Sequence, residues 1–217
     1  MSGDTKSPGT APNVSSIRLL GTMGGAGAVA GLLIVLVFQF TLPTVLANRA
    51  ARLETAIQQV LPGIAKAEPL YLVNGALTSA VPSGADPRKL EKIYLGVDAS
   101  GSPVGFAIPA SEPGFQDVID MIFGFDPDKP GTLGLVILGS RETPGLGDKI
   151  ESPQWLAQFG DAGAPLMPVK AGNAKLPQEV DMITGATISS RTVIGAINKA
   201  IARWSPIIAA YRAGGGS

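Results

Sequence analysis

Two short stretches of this chain combine residue types suited to holding a phosphate and to letting a large group come close to the backbone. Asp181-Met-Ile-Thr-Gly-Ala-Thr-Ile-Ser189 is a polar loop that opens directly into an apolar-periodic run, Val193 to Trp204. The run reads as a helix. Thr184 and Thr187 then lie beside its N-terminus, where unpaired backbone N–H groups and the helix dipole favour an anion such as phosphate. Gly185 and Ala186 have no bulk to keep a large group away from the backbone. Ser189 and Ser190 are further hydroxyls that can meet the phosphate or cap the helix. The same residue types also serve as ordinary N-caps, and Asp181 fits a solvated cap equally well. In the second stretch, Glu142-Thr143-Pro144-Gly145-Leu146-Gly147, two glycines and a proline allow an approach to the backbone that bulkier residues would block. Taken alone, it is a turn.

The composition removes most other chemistries. The 217-residue chain has no cysteine and no histidine. That excludes disulfides, thiolate metal sites and iron–sulfur ligation in this chain, and with them Ser-His-Asp hydrolysis, histidine metal sites and imidazole proton transfer. Redox chemistry here must come from a bound organic cofactor. With 17 basic and 17 acidic residues the net charge is zero, so no electrostatic footprint for nucleic acid exists. A threonine hydroxyl is a weak nucleophile, and no local base is present to activate it.

The elements that must position these stretches follow a membrane segment. Arg18 and Arg49 bracket a stretch without charged residues, Gly/Ala-rich first and aliphatic from Leu32 to Phe38. Leu19 to Phe40 is long enough to cross about 30 Å of hydrocarbon at ~1.5 Å per residue. A cleaved signal peptide is the rival reading, but its apolar core would exceed the usual ~7–15 residues, which favours a retained anchor over residues 17–47. Gly24, Gly25, Gly27 and Gly31 form a small-residue face suited to packing against another membrane helix. Lys6 and Arg18 before the span and Arg49, Arg52 and Lys66 after it give no clear orientation. Residues 1–16 read as a disordered tail, residues 48–66 as a stalk helix ended by Pro62-Gly63, and 213–217 as a flexible tail. The domain between, 67–212, reads as α+β, with antiparallel hairpins and flanking helices. Lys92–Val97 and Pro103–Ile108 flank one turn; Asp117–Phe125 and Leu133–Ser140 flank another, Asp126-Pro-Asp-Lys-Pro-Gly131. A helical stretch around Trp155–Phe159, a short strand at Val169 and a C-terminal helix over at least Arg191–Ala202 complete it.

The Thr184-Gly-Ala-Thr187 motif and the 142–147 loop, in this order, resemble those of the FMN-binding subunits of Rnf and Na⁺-translocating NADH:quinone reductase complexes. The continuation Gly147-Asp-Lys-Ile-Glu151 with Trp155 makes the chain more similar to the G subunit of Rnf than to the C subunit of the quinone reductase, which remains the alternative. A non-redox membrane scaffold, its motif serving only as a cap, is the reading from another class. The resemblance implies FMN joined to Thr187 through a phosphoester, placed there by a separate flavin transferase. Asp181, Thr184, Gly185 and Ala186 are then recognition and fit elements, and Glu142, Thr143, Pro144, Gly145, Leu146 and Gly147 contact the flavin. Ser189 is the nearest rival attachment point. Trp155 reads as core rather than a flavin stack; Arg141 and Lys149 read as solvated charges that can also stabilise an anionic reduced flavin. The resemblance further implies an electron-transfer subunit of an ion-translocating ferredoxin:NAD oxidoreductase. It would be a single-pass inner-membrane protein, with other membrane subunits and the lipid bilayer as partners. Its N-terminus would be cytoplasmic and its flavin domain periplasmic.

Overall fold

The computed structural model describes residues 15–215; the expectations for residues 1–14 and 216–217 lie outside them. The chain divides into two units at Arg49/Ala50. Beginning in the first, α1 (Ser16–Val60) is, among the described residues, the one helix long and apolar enough to cross a membrane. Two of its threonine hydroxyls within the apolar stretch bond to the helix's own backbone. Thr22 Oγ1 donates to the Arg18 carbonyl at 3.0 Å, and Thr41 Oγ1 donates to the Val37 carbonyl at 2.8 Å. Such pairing suits an apolar surrounding, which supplies no partner of its own.

The second unit is α+β, as expected. Its sheet comprises β1 (Lys66–Val73), β2 (Ala76–Thr78), β3 (Lys92–Val97), β4 (Pro103–Pro113), β5 (Val118–Asp126), β6 (Gly131–Gly139) and β7 (Ala162–Gly163). These strands lie antiparallel in the order β2-β1-β3-β4-β5-β6-β7. Between β6 and β7 the chain makes two 3₁₀ turns around a short helix, α2 (Pro153–Leu156). Two small parallel strands follow, β8 (Met167–Val169) and β9 (Glu179–Asp181), and then α3 (Thr187–Ala213).

Side-chain alternation sends successive residues of each strand to opposite faces. Ile93, Leu95, Phe106, Ile108, Ile119, Met121, Phe123 and Phe125 form one face, covered by α3 through Val193, Ile194, Ile197, Trp204 and Ile208. Trp155 belongs to this core: it is 5% exposed, meets Phe159 edge-on at 4.9 Å, and donates its indole N–H to the Asp181 carbonyl at 2.8 Å.

The opposite face is built differently. Tyr94, Ala107 and Ile122 share it with glycines, and the last turns of α1 (Ala56, Ile57, Val60) and Leu61 pack onto it. Gly96, Gly105, Gly124 and Gly134 lie on four adjacent strands, with Gly96 opposite Gly105 and Gly124 opposite Gly134. Together they form a seam into which the helix end sinks. A Cβ on Gly96 would stand 2.7 Å from both Leu61 and Ile64, and one on Gly134 3.2 Å from the Val60 Cα; on Gly124 it would collide with the Val60 carbonyl oxygen. The residues expected as a stalk helix therefore also supply one layer of the domain's core. Gly124→Ala is expected to lose about 1–3 kcal/mol by overpacking. Gly139→Ala, whose Cβ would find its nearest neighbour at 3.8 Å, should stay within about 0.5 kcal/mol. Thermal or urea unfolding of the two variants side by side checks this.

Two segments escaped the strand pattern for a physical reason. β1 contains Pro69 and the second half of β4 contains Pro109 and Pro113. Pro69 pairs with Tyr94 of β3, whereas β2 pairs only with residues 71–73. Pro109 pairs with Ile122 of β5, whereas β3 reaches β4 only at residues 103–107. Each proline sits where one side of its strand is an open edge, which is where a missing N–H is tolerated.

Candidate functional site

Three segments converge on one cleft of about 360 Å³, within the ~300–1,000 Å³ range of small-molecule sites. The first is the loop after β6, which contributes Glu142, Thr143, Leu146 and Gly147; the second is the start of α3, which contributes Gly185, Ala186, Thr187, Ile188 and Ser189. The third, the turn between β4 and β5, brings Phe115. The two stretches singled out from the sequence thus form opposite sides of one site. Phe115 was missed, because its segment reads only as the approach to a strand. The available signal was an aromatic residue beside Gly114 in an otherwise polar turn, with no core to enter.

The walls are apolar and open. Phe115 is 63% exposed, Leu146 46% and Ile188 54%. Gly185 has φ +86°, a backbone conformation that side-chain-bearing residues rarely adopt, and a Cβ there would lie 3.1 Å from Leu146 Cδ2. The glycine is required both by the turn and by the neighbouring wall.

The floor is the N-terminus of α3. Ala186 is the N-cap residue and supplies no side-chain cap. Ser190 N–H donates to the Ala186 carbonyl at 3.0 Å, the first bond of the helix ladder. Among the described residues, the N–H groups of Thr187, Ile188 and Ser189 meet no acceptor, which makes this end a ready anion site. The nearby hydroxyls are not equivalent. Ser189 Oγ is buried and donates to Glu142 Oε2 at 2.8 Å. Ser190 Oγ, also buried, donates to the Ala186 carbonyl at 2.9 Å and accepts from Ile183 N–H at 3.0 Å. Thr187 is exposed and lines the cleft, and its hydroxyl has no protein partner among the described residues.

Glu142 is buried, 6% exposed, and its Oε1 accepts from the backbone N–H of Phe115 at 2.8 Å and of Gln116 at 3.2 Å. Gly145, with φ +77°, and Pro144 are exposed and outside the cleft lining, and Gly145 N–H donates to Asp148 at 2.9 Å. Thr184 is exposed and outside the cleft lining. Asp181 is also outside it: its carboxylate accepts from the backbone N–H of Asn173 at 2.9 Å and of Ala174 at 3.0 Å, fixing the turn before β9. Arg141 is a surface charge that faces Asp117 at 3.6 Å, and Lys149 is exposed.

The cleft offers exposed apolar walls at its sides and unpaired N–H groups at its floor. A family model described as an FMN-binding domain matches residues 114–202, which span the Phe115 turn, the loop and the start of α3. The chain is similar to the G subunit of the ion-translocating oxidoreductase complex of Methanosarcina acetivorans, with 33% identity over 185 residues, 85% of this chain and 92% of that one. It is also similar to the G subunit of the Na⁺-translocating ferredoxin:NAD⁺ oxidoreductase complex of Acetobacterium woodii, 32% identical over 67% of this chain and 70% of that one. Among solved structures, the C subunit of the Na⁺-translocating NADH-quinone reductase of Parabacteroides distasonis shares the fold, with TM-score 0.55 at 19% identity over 75% of this chain and 94% of that one. The relatives identical at about a third of positions are G subunits, as the motif continuation through Trp155 suggested, and the likeness to the quinone reductase protein is one of fold. The chain belongs to the family of G subunits of ion-translocating oxidoreductase complexes.

Proposed function

We propose that this protein is the membrane-anchored electron-transfer flavoprotein of an Rnf-type ferredoxin:NAD oxidoreductase complex, carrying FMN on Thr187 through a phosphoester. One observation carries the assignment of the residue: Thr187 presents the uncommitted hydroxyl at the cleft floor, whereas those of Ser189 and Ser190 are buried in hydrogen bonds. The bound flavin supplies the electron-carrying chemistry that side chains lacking cysteine and histidine do not.

The chain's own residues bind and orient the group. The N–H groups of Thr187, Ile188 and Ser189 offer donors to the phosphate at the positive end of the helix dipole. Phe115, Leu146 and Ile188 hold the ring by apolar contact. Exposed Thr184 and Gly185 present the loop to a flavin transferase, and Asp181 keeps the preceding turn in shape. Pro144 and Gly145 act by setting the course of the loop that carries Leu146. We place the flavin domain on the periplasmic side, with other membrane subunits of the complex and the bilayer as partners of α1.

The full chain, expressed with a flavin transferase, should retain a yellow chromophore after denaturation and precipitation. A colourless precipitate would remove the covalent link, and loss of flavin before denaturation as well would leave a non-redox scaffold. Leu146→Asp is expected to keep the attached flavin, since the phosphoester lies elsewhere, but to change its fluorescence as the ring loses a wall. Unaltered fluorescence would mean that the loop does not touch the ring.

A further inference from the structure

The three segments that wall the cleft meet at a single buried carboxylate. Glu142 Oε1 accepts from the backbone N–H of Phe115 and Gln116, and its Oε2 accepts from the hydroxyl of Ser189, next to Ile188. Leu146 stands next to Gly147, where a Cβ would lie 2.7 Å from Glu142 Cβ and 2.8 Å from Oε2. Gly114, next to Phe115, is likewise kept free of a side chain by Glu142 Oε1. Two glycines thus leave room for one carboxylate, and that carboxylate joins the β4–β5 turn, the 142–147 loop and the first turn of α3. A carboxylate accepting three hydrogen bonds inside the protein makes stronger bonds than a neutral acceptor and is costly to leave half-paired.

We propose that Glu142 is the positioning residue of the flavin site, setting the spacing of Phe115, Leu146 and Ile188, and that its negative charge at the cleft lowers the midpoint potential of the bound ring. This rests on FMN occupying the cleft as proposed above. Reduction adds electrons to the ring, and a fixed negative charge close by and shielded from solvent opposes that gain.

The test uses the full chain in detergent, made with and without the flavin transferase. Glu142→Gln keeps an acceptor oxygen for Phe115 and Gln116 and removes the charge. It should retain the visible circular dichroism of the flavin and shift the midpoint potential, titrated with dithionite and mediators, to more positive values. Glu142→Ala should still carry FMN by mass, yet lose most of the visible circular dichroism. Its amide exchange should speed up at residues 114–118 and in the first turns of α3, with or without flavin. An unshifted potential in Glu142→Gln overturns the charge effect, and wild-type dichroism and exchange in Glu142→Ala overturn the positioning. If the alanine variant does not fold, Ser189→Ala, which removes one donor and spares the carboxylate, carries the positioning test: exchange should rise at the start of α3, and no rise overturns it. Wild-type protein without FMN would count against the proposed function, while exchange in the flavin-free chains would still decide whether Glu142 holds the three segments.

Discussion

A chain begun at residue 48 is expected to be a soluble, folded domain, whereas one begun at residue 62 is expected to aggregate. The first deletion removes the apolar stretch between Arg18 and Arg49, all of which lies in the other unit or beside its boundary. The second also removes Ile57, Val60 and Leu61, which are 4%, 0% and 0% exposed. Burying each such side chain contributes about 1.5–3 kcal/mol, or about 5–9 kcal/mol for the three as an upper bound. Native domains are stable by only about 5–15 kcal/mol. The shorter chain would also bare the glycine seam together with Ala107 and Ile122, an apolar sheet face with nothing to cover it. Size-exclusion chromatography and a thermal melt separate the outcomes. A monomeric residue-62 chain with a cooperative melt would show that the end of α1 is dispensable.

Replacing Thr187 with valine is expected to abolish covalent flavin altogether and to leave the fold intact. Thr187 is exposed and its hydroxyl holds no part of the protein together, so valine keeps the shape and disturbs only a slight helix preference. The melting temperature of the flavin-free chain should hardly change, while no flavin should remain on the denatured variant. Ser189→Ala provides the contrast. It breaks a buried hydrogen bond to Glu142 and should lower stability by about 1–3 kcal/mol, yet keep the flavin. Full flavinylation of Thr187→Val would refute the assignment and redirect attention to Thr184 or Ser189.

The site was more legible in the sequence than the fold around it. Both halves of the cleft announced themselves by residue type, since small residues and hydroxyls ahead of an apolar-periodic run have a chemical reading that survives folding. The hairpins of β3 with β4 and β5 with β6 were legible because their turns are rich in Asp, Gly and Pro and the segments flanking them are apolar. β1 and the second half of β4 were not, since a proline normally argues against a strand and only the open edge beside it makes it acceptable. The glycine seam was hidden because its residues are far apart in the chain. Gly96, Gly105, Gly124 and Gly134 each look like an isolated irregularity until strand register sets them side by side. Glu142 could be placed at the site but not given its partners, because donors 26, 27 and 47 residues away are invisible before folding. Asp181 illustrates the converse. Its position beside the threonine motif drew it into the site, and its carboxylate in fact holds the turn at Asn173 and Ala174.

The most direct test follows the flavin to a single side chain. Trypsin cuts after Lys175 and Arg191, releasing a peptide from Leu176 to Arg191 that contains Thr184, Thr187, Ser189 and Ser190. Tandem mass spectrometry of this peptide, from protein expressed with a flavin transferase and fully denatured, is expected to show the FMN mass on Thr187 and on none of the other three hydroxyls. An unmodified peptide, or the flavin mass on a different residue, would contradict the account.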